Sequence, residues 1–142
     1  TEANAMKNYY PGDMYVDWLG VSCYPPSLSA TYPEDRRYPL TLMQGIKQVS
    51  ADKPIMISEG GYSSTCDHQR WVREWFKLKD EEPRVKVVVW ENHENAENGD
   101  RRLQSDPLAL ELYKELVQDP YWLDLIPDAV YSEIETRKNN SK

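Results

Sequence analysis

A short apolar segment followed by an amphipathic helical segment occurs three times in this sequence of 142 residues. The apolar segments cover about residues 16–24, 54–59 and 85–90, and their length and β-branched content favour buried strands. The helical segments begin near Pro39, Asp67 and Asp106, and each carries apolar side chains at helical spacing. Strands that alternate with helices in this way predict an α/β fold with a parallel sheet covered on both faces.

Two architectures are compatible with this order: an open doubly wound sheet, or part of a (β/α)8 TIM barrel. No Gly-rich phosphate-binding motif follows any of the three strands, which disfavours a nucleotide-binding open sheet. The loops after the strands are long and those after the helices are short, as in barrels whose strand-to-helix loops build the active site. We therefore predict about three strand–helix units of a barrel over residues 1–135, followed by a frayed tail over residues 136–142.

The composition limits the classes of partner. A formal net charge of −7 argues against binding of nucleic acid or of an anionic membrane surface, and no apolar run has the length of a membrane span. Five Trp and ten Tyr against one Phe suit either a wet aromatic cleft, such as a sugar site, or a core that uses Trp. No metal or other cofactor is predicted, because Cys23 and Cys66 lack metal-site spacing; they form either one disulfide or two free thiols.

Polar or aromatic side chains close all three predicted strands: Tyr24, Glu59 and Trp90. The carboxyl ends of neighbouring parallel strands meet at one edge of a sheet, so we expect these three side chains to lie together. Strict alternation assigns the residues that share their inward face: Ser22 on the first strand, Ile55 and Ile57 on the second, and Val88 on the third. A phenol beside a carboxylate donates a hydrogen bond that orients it, and an indole beside both can stack on a sugar ring.

Three segments carry a resemblance to a known family. Residues 10–24 (Tyr-Pro-Gly-Asp-Met-Tyr-Val-Asp-Trp-Leu-Gly-Val-Ser-Cys-Tyr), 53–61 (Lys-Pro-Ile-Met-Ile-Ser-Glu-Gly-Gly) and 85–92 (Val-Lys-Val-Val-Val-Trp-Glu-Asn) are similar to the last part of a clan A glycoside hydrolase. The chain most resembles glycoside hydrolase family 26, which contains β-mannanases with some β-glucanases and xylanases. The resemblance covers about residues 9–122 and implies the C-terminal part of a (β/α)8 barrel. Family members usually have Glu-Phe-Gly and often Trp-Phe-Asn where this chain has Gly60 and Glu91.

The resemblance implies specific roles. Glu59 would be the nucleophile at the end of the seventh barrel strand, Tyr24 its hydrogen-bond partner at the end of the sixth, and Trp90 a sugar platform at the end of the eighth. Tyr62 and His93, in the loops after the last two strands, are further candidates for substrate binding. The acid/base Glu would lie on the fourth strand, outside this chain, which would pair with the N-terminal half of the barrel.

The expected function is retaining cleavage of a β-1,4-linked polysaccharide, with β-mannan first and β-glucan or xylan as alternatives, by an extracellular enzyme. The isolated chain is expected to be inactive and incomplete as a folding unit. Two other interpretations stay open: a carbohydrate-binding pseudoenzyme and an unrelated, non-catalytic α/β domain. Trp71 and Trp75 are expected in the core, and His68 and His93 are expected at the surface rather than in catalysis.

Overall fold

The computed structural model describes residues 5–25, 38–63, 66–95 and 99–122. The end of the predicted barrel segment, residues 123–135, and the predicted frayed tail, residues 136–142, lie outside these ranges. The described elements include three main strands and three helices: β1 (Leu19–Cys23), α1 (Tyr38–Lys47), β2 (Ile55–Gly60), α2 (His68–Glu81), β3 (Val85–Trp90) and α3 (Pro107–Leu116). A small hairpin of β4 (Glu94–Asn95) and β5 (Gly99–Asp100) lies between β3 and α3, in a segment predicted to be a polar loop.

The three main strands form a parallel sheet in the order β1–β2–β3. Both the parallel pairing and the order agree with the sequence prediction, as does the alternation of each strand with a helix. The described part of the chain is therefore α/β, with three consecutive strand–helix units. Within these residues, no helix is both long enough and apolar enough to cross a lipid bilayer.

Two of the three helices begin at the carboxylates that the sequence predicted. Asp67 accepts a hydrogen bond from the backbone N–H of Arg70 at the start of α2. Asp106 accepts from the N–H groups of Leu108 and Ala109, with Pro107 as the first residue of α3. These caps satisfy N–H groups that have no partner inside the helix, which fixes where each helix begins.

The core lies between one face of the sheet and the helices. Helix α2 contacts both α1 and α3, and its apolar stripe is buried as predicted: Trp71, Val72, Trp75, Phe76 and Leu78. Strand residues on this side are also buried: Leu19, Cys23, Ile55, Ile57 and Val85. The other face is open among the described residues, and Val89 on that face is 44% exposed. The two cysteines are free thiols, which decides between the alternatives left by the sequence.

A β-bulge near the end of β2 changes which side chains share a face. Val21 pairs with Ile57 but the next residue, Ser22, pairs with Glu59, so Ser58 is an extra residue in the ladder. Ile55 and Ile57 are fully buried on the helix side, whereas Glu59 is exposed on the open side. The prediction that the two isoleucines share the face of Glu59 is therefore wrong, because strict alternation does not survive the bulge.

A polar network joins the amino-terminal ends of β2 and β3. The guanidinium of Arg84 donates to both carboxylate oxygens of Glu82, at 3.0 and 2.9 Å, and to the backbone carbonyl of Ser50 at 2.8 Å. Glu82 is only 4% exposed, and Lys47 lies 3.7 Å from it. These contacts hold the end of the sheet that is opposite Glu59.

Candidate active site

The candidate site lies at the carboxyl-terminal edge of the sheet. Tyr24 directly follows β1, Glu59 is the penultimate residue of β2, and Glu91 directly follows β3. A backbone hydrogen bond from the Glu91 N–H to the Gly60 carbonyl, at 2.7 Å, extends the pairing of β2 and β3 to this level. Parallel pairing therefore brings together three side chains that are far apart in sequence.

Tyr24 is the centre of this group. Its hydroxyl lies 2.6 Å from Oε1 of Glu59 and 2.6 Å from Oε2 of Glu91. The guanidinium of Arg101, which follows β5, forms an ion pair with Glu91 and lies over the Tyr24 ring, 4.2 Å from its centroid. The sequence predicted the Tyr24–Glu59 contact, and the structure contains it.

The electrostatic environment keeps the phenol protonated and Glu91 ionised. Burial, and then the hydrogen bonds to Glu59 and Glu91, raise the pKa of Tyr24 well above its ordinary value. Burial also acts to raise the pKa of Glu91, but the hydrogen bonds from Tyr24 and Arg101 outweigh it, and this pKa lies below its usual range. Tyr24 is therefore a hydrogen-bond donor at neutral pH, and Glu91 is a charged acceptor.

Glu59 keeps one carboxylate oxygen accessible. Its Oε1 contacts Tyr24, whereas among the described residues its Oε2 has only a contact of 3.5 Å with the hydroxyl of Ser22, at the limit for a hydrogen bond. Glu59 is exposed on the open face of the sheet. An oriented carboxylate with a free oxygen is suited to act as a nucleophile or as a base toward a molecule bound at this edge.

Glu59 and Glu91 do not form the acid and nucleophile pair of a retaining glycosidase, although their spacing invites the comparison. Both oxygens lie 2.6 Å from the same phenol, so they are separated by at most twice that distance, and catalytic pairs in such enzymes stand about 5–5.5 Å apart. A general acid needs a raised pKa, however, and that of Glu91 is lowered. The two carboxylates also share the Tyr24 hydroxyl as a hydrogen-bond partner.

Trp90 lies on the other side of the sheet from Glu59. It is half-buried, its ring contacts those of Tyr62, Trp75 and Tyr113, and its Nε1–H donates to the Arg101 carbonyl at 3.1 Å. Val88 packs against the same core cluster as Trp90, so the predicted shared face with Glu59 is wrong for both residues. Trp90 instead packs in the helical layer and holds the backbone of Arg101, which contacts Tyr24.

Tyr62 is also part of the interior. It is 0% exposed, stacks on His68 with ring centroids 3.9 Å apart, and its hydroxyl donates to the Arg102 carbonyl at 2.6 Å. Tyr62 therefore has no exposed surface in the described part of the chain, and its predicted contact with substrate stays a prediction.

The two histidines differ. His68 was predicted at the surface, but its side chain is 18% exposed and its ring nitrogens lie 3.1 Å from Asp106 and 3.0 Å from the Ser63 carbonyl. It joins the loop after β2 to the start of α3. His93 is 55% exposed, with Nδ1 3.2 Å from Oε1 of Glu91. It therefore borders the site, and its predicted contact with substrate stays a prediction.

Sequence reasoning missed Glu91 and Arg101. Glu91 had a signal, since it directly follows a buried strand as Tyr24 does, but it departs from the family pattern and the resemblance gives it no role. Arg101 had none, because its contact with Glu91 depends on the β4–β5 hairpin. That hairpin is closed by a backbone hydrogen bond from the Arg101 N–H to the His93 carbonyl, at 3.1 Å.

No group of side chains suited to hold a metal ion occurs among the residues described in the four ranges above. Comparison with known proteins adds no identity: no model of a protein family matches the sequence, and no curated protein matches it significantly.

Proposed function

We propose that this chain is the C-terminal part of the catalytic (β/α)8 barrel of a retaining glycoside hydrolase that cleaves β-1,4-linked polysaccharide, with β-mannan as its first candidate substrate. The proposal assigns Glu59 as the nucleophile and Tyr24 as the residue that orients it. One observation carries it: a phenol and an exposed carboxylate, 2.6 Å apart, stand at the carboxyl ends of two adjacent parallel strands.

The chemistry follows from the accessibility of Glu59. Its free oxygen would bond to the anomeric carbon as the glycosidic bond breaks, and the leaving oxygen would take a proton from a second carboxylic acid. Water would then attack the same carbon and return that proton, releasing Glu59 as a carboxylate. We place the second acid on the fourth barrel strand, outside this chain, as the family resemblance implies; the neighbouring Glu91 is ionised and paired with Arg101.

The direct test is the intact protein that contains this chain. Purified protein would be incubated with soluble β-mannan, β-glucan and xylan, and the anomeric form of the first product followed by NMR. We expect cleavage with retention, and Glu59→Gln should abolish turnover because the amide has no anionic oxygen to attack. Glu94→Gln is the matched control, since Glu94 is an exposed acid of the same edge that forms an ion pair with Arg102.

A trapping experiment identifies the nucleophile independently. A 2-deoxy-2-fluoro glycoside with a good leaving group should accumulate the covalent intermediate, and mass spectrometry should place the added mass on the peptide that contains Glu59. Wild-type activity in Glu59→Gln, or a label on another acid, would refute the assignment. Inversion of configuration would refute the mechanism.

A further inference from the structure

Glu91 makes contacts that the reaction as proposed above does not use. Its Oε2 accepts from Tyr24 and from Arg101, and its Oε1 lies 3.2 Å from His93. Its side chain is largely buried, whereas Glu59 on the other side of the phenol is exposed. Tyr24 is thus held between an accessible carboxylate and an enclosed, ion-paired one.

The single phenolic proton of Tyr24 has two carboxylate acceptors within reach. The phenol has one proton, and it lies within hydrogen-bond distance of two carboxylates, so it donates to one of them at a time. While Glu59 is anionic, the two acceptors compete for the proton. When Glu59 bonds to the sugar it loses its charge and becomes a poor acceptor, and the phenol then donates to Glu91.

We propose that Glu91 is a positioning residue for the reaction of Glu59: it acts through Tyr24, as the acceptor that takes over the phenolic hydrogen bond while Glu59 is bonded to the sugar. This inference rests on the proposed glycosidase function. Arg101 serves the same purpose from two sides, since it keeps Glu91 charged and stacks on the Tyr24 ring. The hydrogen bond is therefore never lost, which favours the transition state over the resting carboxylate.

The test uses the intact protein and the variant Glu91→Gln. An amide oxygen still accepts from Tyr24 but carries no charge, so we expect kcat to fall roughly tenfold with little change in KM, the difference between a charged and a neutral acceptor. In a Tyr24→Phe background the same substitution should have no further effect, because Glu91 acts through the phenol. Glu94→Gln should leave kcat unchanged. Additive losses in the double variant would overturn the proposal, as would an unaffected kcat in Glu91→Gln.

A second measurement does not depend on activity. With 13C-labelled tyrosine, the ζ-carbon shift of Tyr24, identified by its loss in Tyr24→Phe, reports how the phenolic proton is shared. We expect Glu91→Gln to move this shift and Glu94→Gln to leave it in place. An unchanged Tyr24 shift in Glu91→Gln would overturn the inference, whichever glycan the protein cleaves. If Glu91→Gln moves the Tyr24 shift as expected but the intact protein cleaves none of the three glycans, the proposed function is refuted and the Glu91–Tyr24 contact is retained.

Discussion

Replacing Gly60 with alanine should destabilise the protein, because no space exists for the added methyl group. Gly60 ends β2 on the helix side, and a Cβ built there would clash with the indole of Trp75 and with the backbone carbonyl of Cys23. All of these contacts are under 3.0 Å, closer than a real Cβ approaches a heavy atom. Trp75 is 1% exposed, so it has no room to move away.

The magnitude follows from two opposing effects. Overpacking a core costs about 1–3 kcal/mol, and the upper end applies here because a backbone carbonyl is among the atoms in the way. Alanine also reduces the freedom of the unfolded chain, which stabilises by about 0.4–1 kcal/mol where the backbone tolerates it. Gly60 is not among the glycines with positive φ, so this gain applies. We expect a net loss of about 2 kcal/mol.

Urea unfolding of the intact protein measures the effect, with tryptophan fluorescence as the signal and an unchanged m value as the sign that only stability has changed. Gly20→Ala is the matched control. A Cβ at Gly20 would meet the Ser58 side chain at 3.7 Å, an ordinary contact, so this variant should be neutral or slightly stabilised. Equal stabilities for Gly60→Ala and Gly20→Ala would refute the packing described here for Trp75 and β2.

Two further predictions concern the ends of the sheet. Tyr24→Phe in the intact protein should raise the activation free energy for turnover by roughly 1.5–3 kcal/mol, the value of a hydrogen bond to a charged group. Steady-state kinetics measures this effect, with unchanged thermal stability as the control. A wild-type kcat would argue against an orienting role for Tyr24. At the opposite end, hydrogen bonds from Arg84 lower the pKa of Glu82. A carboxyl group whose pKa is lower in the folded than in the unfolded protein stabilises the fold at pH values above its unfolded pKa. This stabilisation is lost as the pH falls through the folded pKa. In Glu82→Gln, the free energy of unfolding should therefore fall less steeply below about pH 4.5 than in the wild type, as measured by urea unfolding at several pH values. The same pH dependence in variant and wild type would contradict this.

Much of the fold was predictable because it depends on local signals. Apolar runs bounded by Pro or Gly marked the strands, and Asp67 and Asp106 marked the starts of two helices, because a capping side chain and its N–H partners lie within a few residues. The Tyr24–Glu59 contact followed from parallel pairing, since both residues stand at strand ends. These predictions needed no knowledge of how distant segments pack.

The errors have a common physical cause, which is that they depend on contacts between segments. The bulge at Ser58 lies in the pairing of β2 with β1 and places Ile55 and Ile57 on the face opposite Glu59, whereas Ser22 stays on the Glu59 face as predicted. Alternation and the family resemblance placed Trp90 on the Glu59 face, and Tyr62 was a further candidate for substrate binding, but both rings lie in the aromatic layer beside Trp75. Nothing local distinguishes an aromatic side chain in a cleft from one in a core.

The position of Glu91 and Arg101 at the two ends of one hairpin has a practical consequence for engineering specificity by loop exchange. Strand-to-helix loops are the natural segments to transplant between barrel enzymes, because they line the substrate cleft. Here a graft that replaced the whole connection between β3 and α3 would remove both contacts to Tyr24: the Glu91 carboxylate on its hydroxyl and the Arg101 guanidinium over its ring. In the proposed glycosidase, a graft restricted to the hairpin between these two residues would keep them, so sugar contacts could be added without moving the tyrosine beside Glu59.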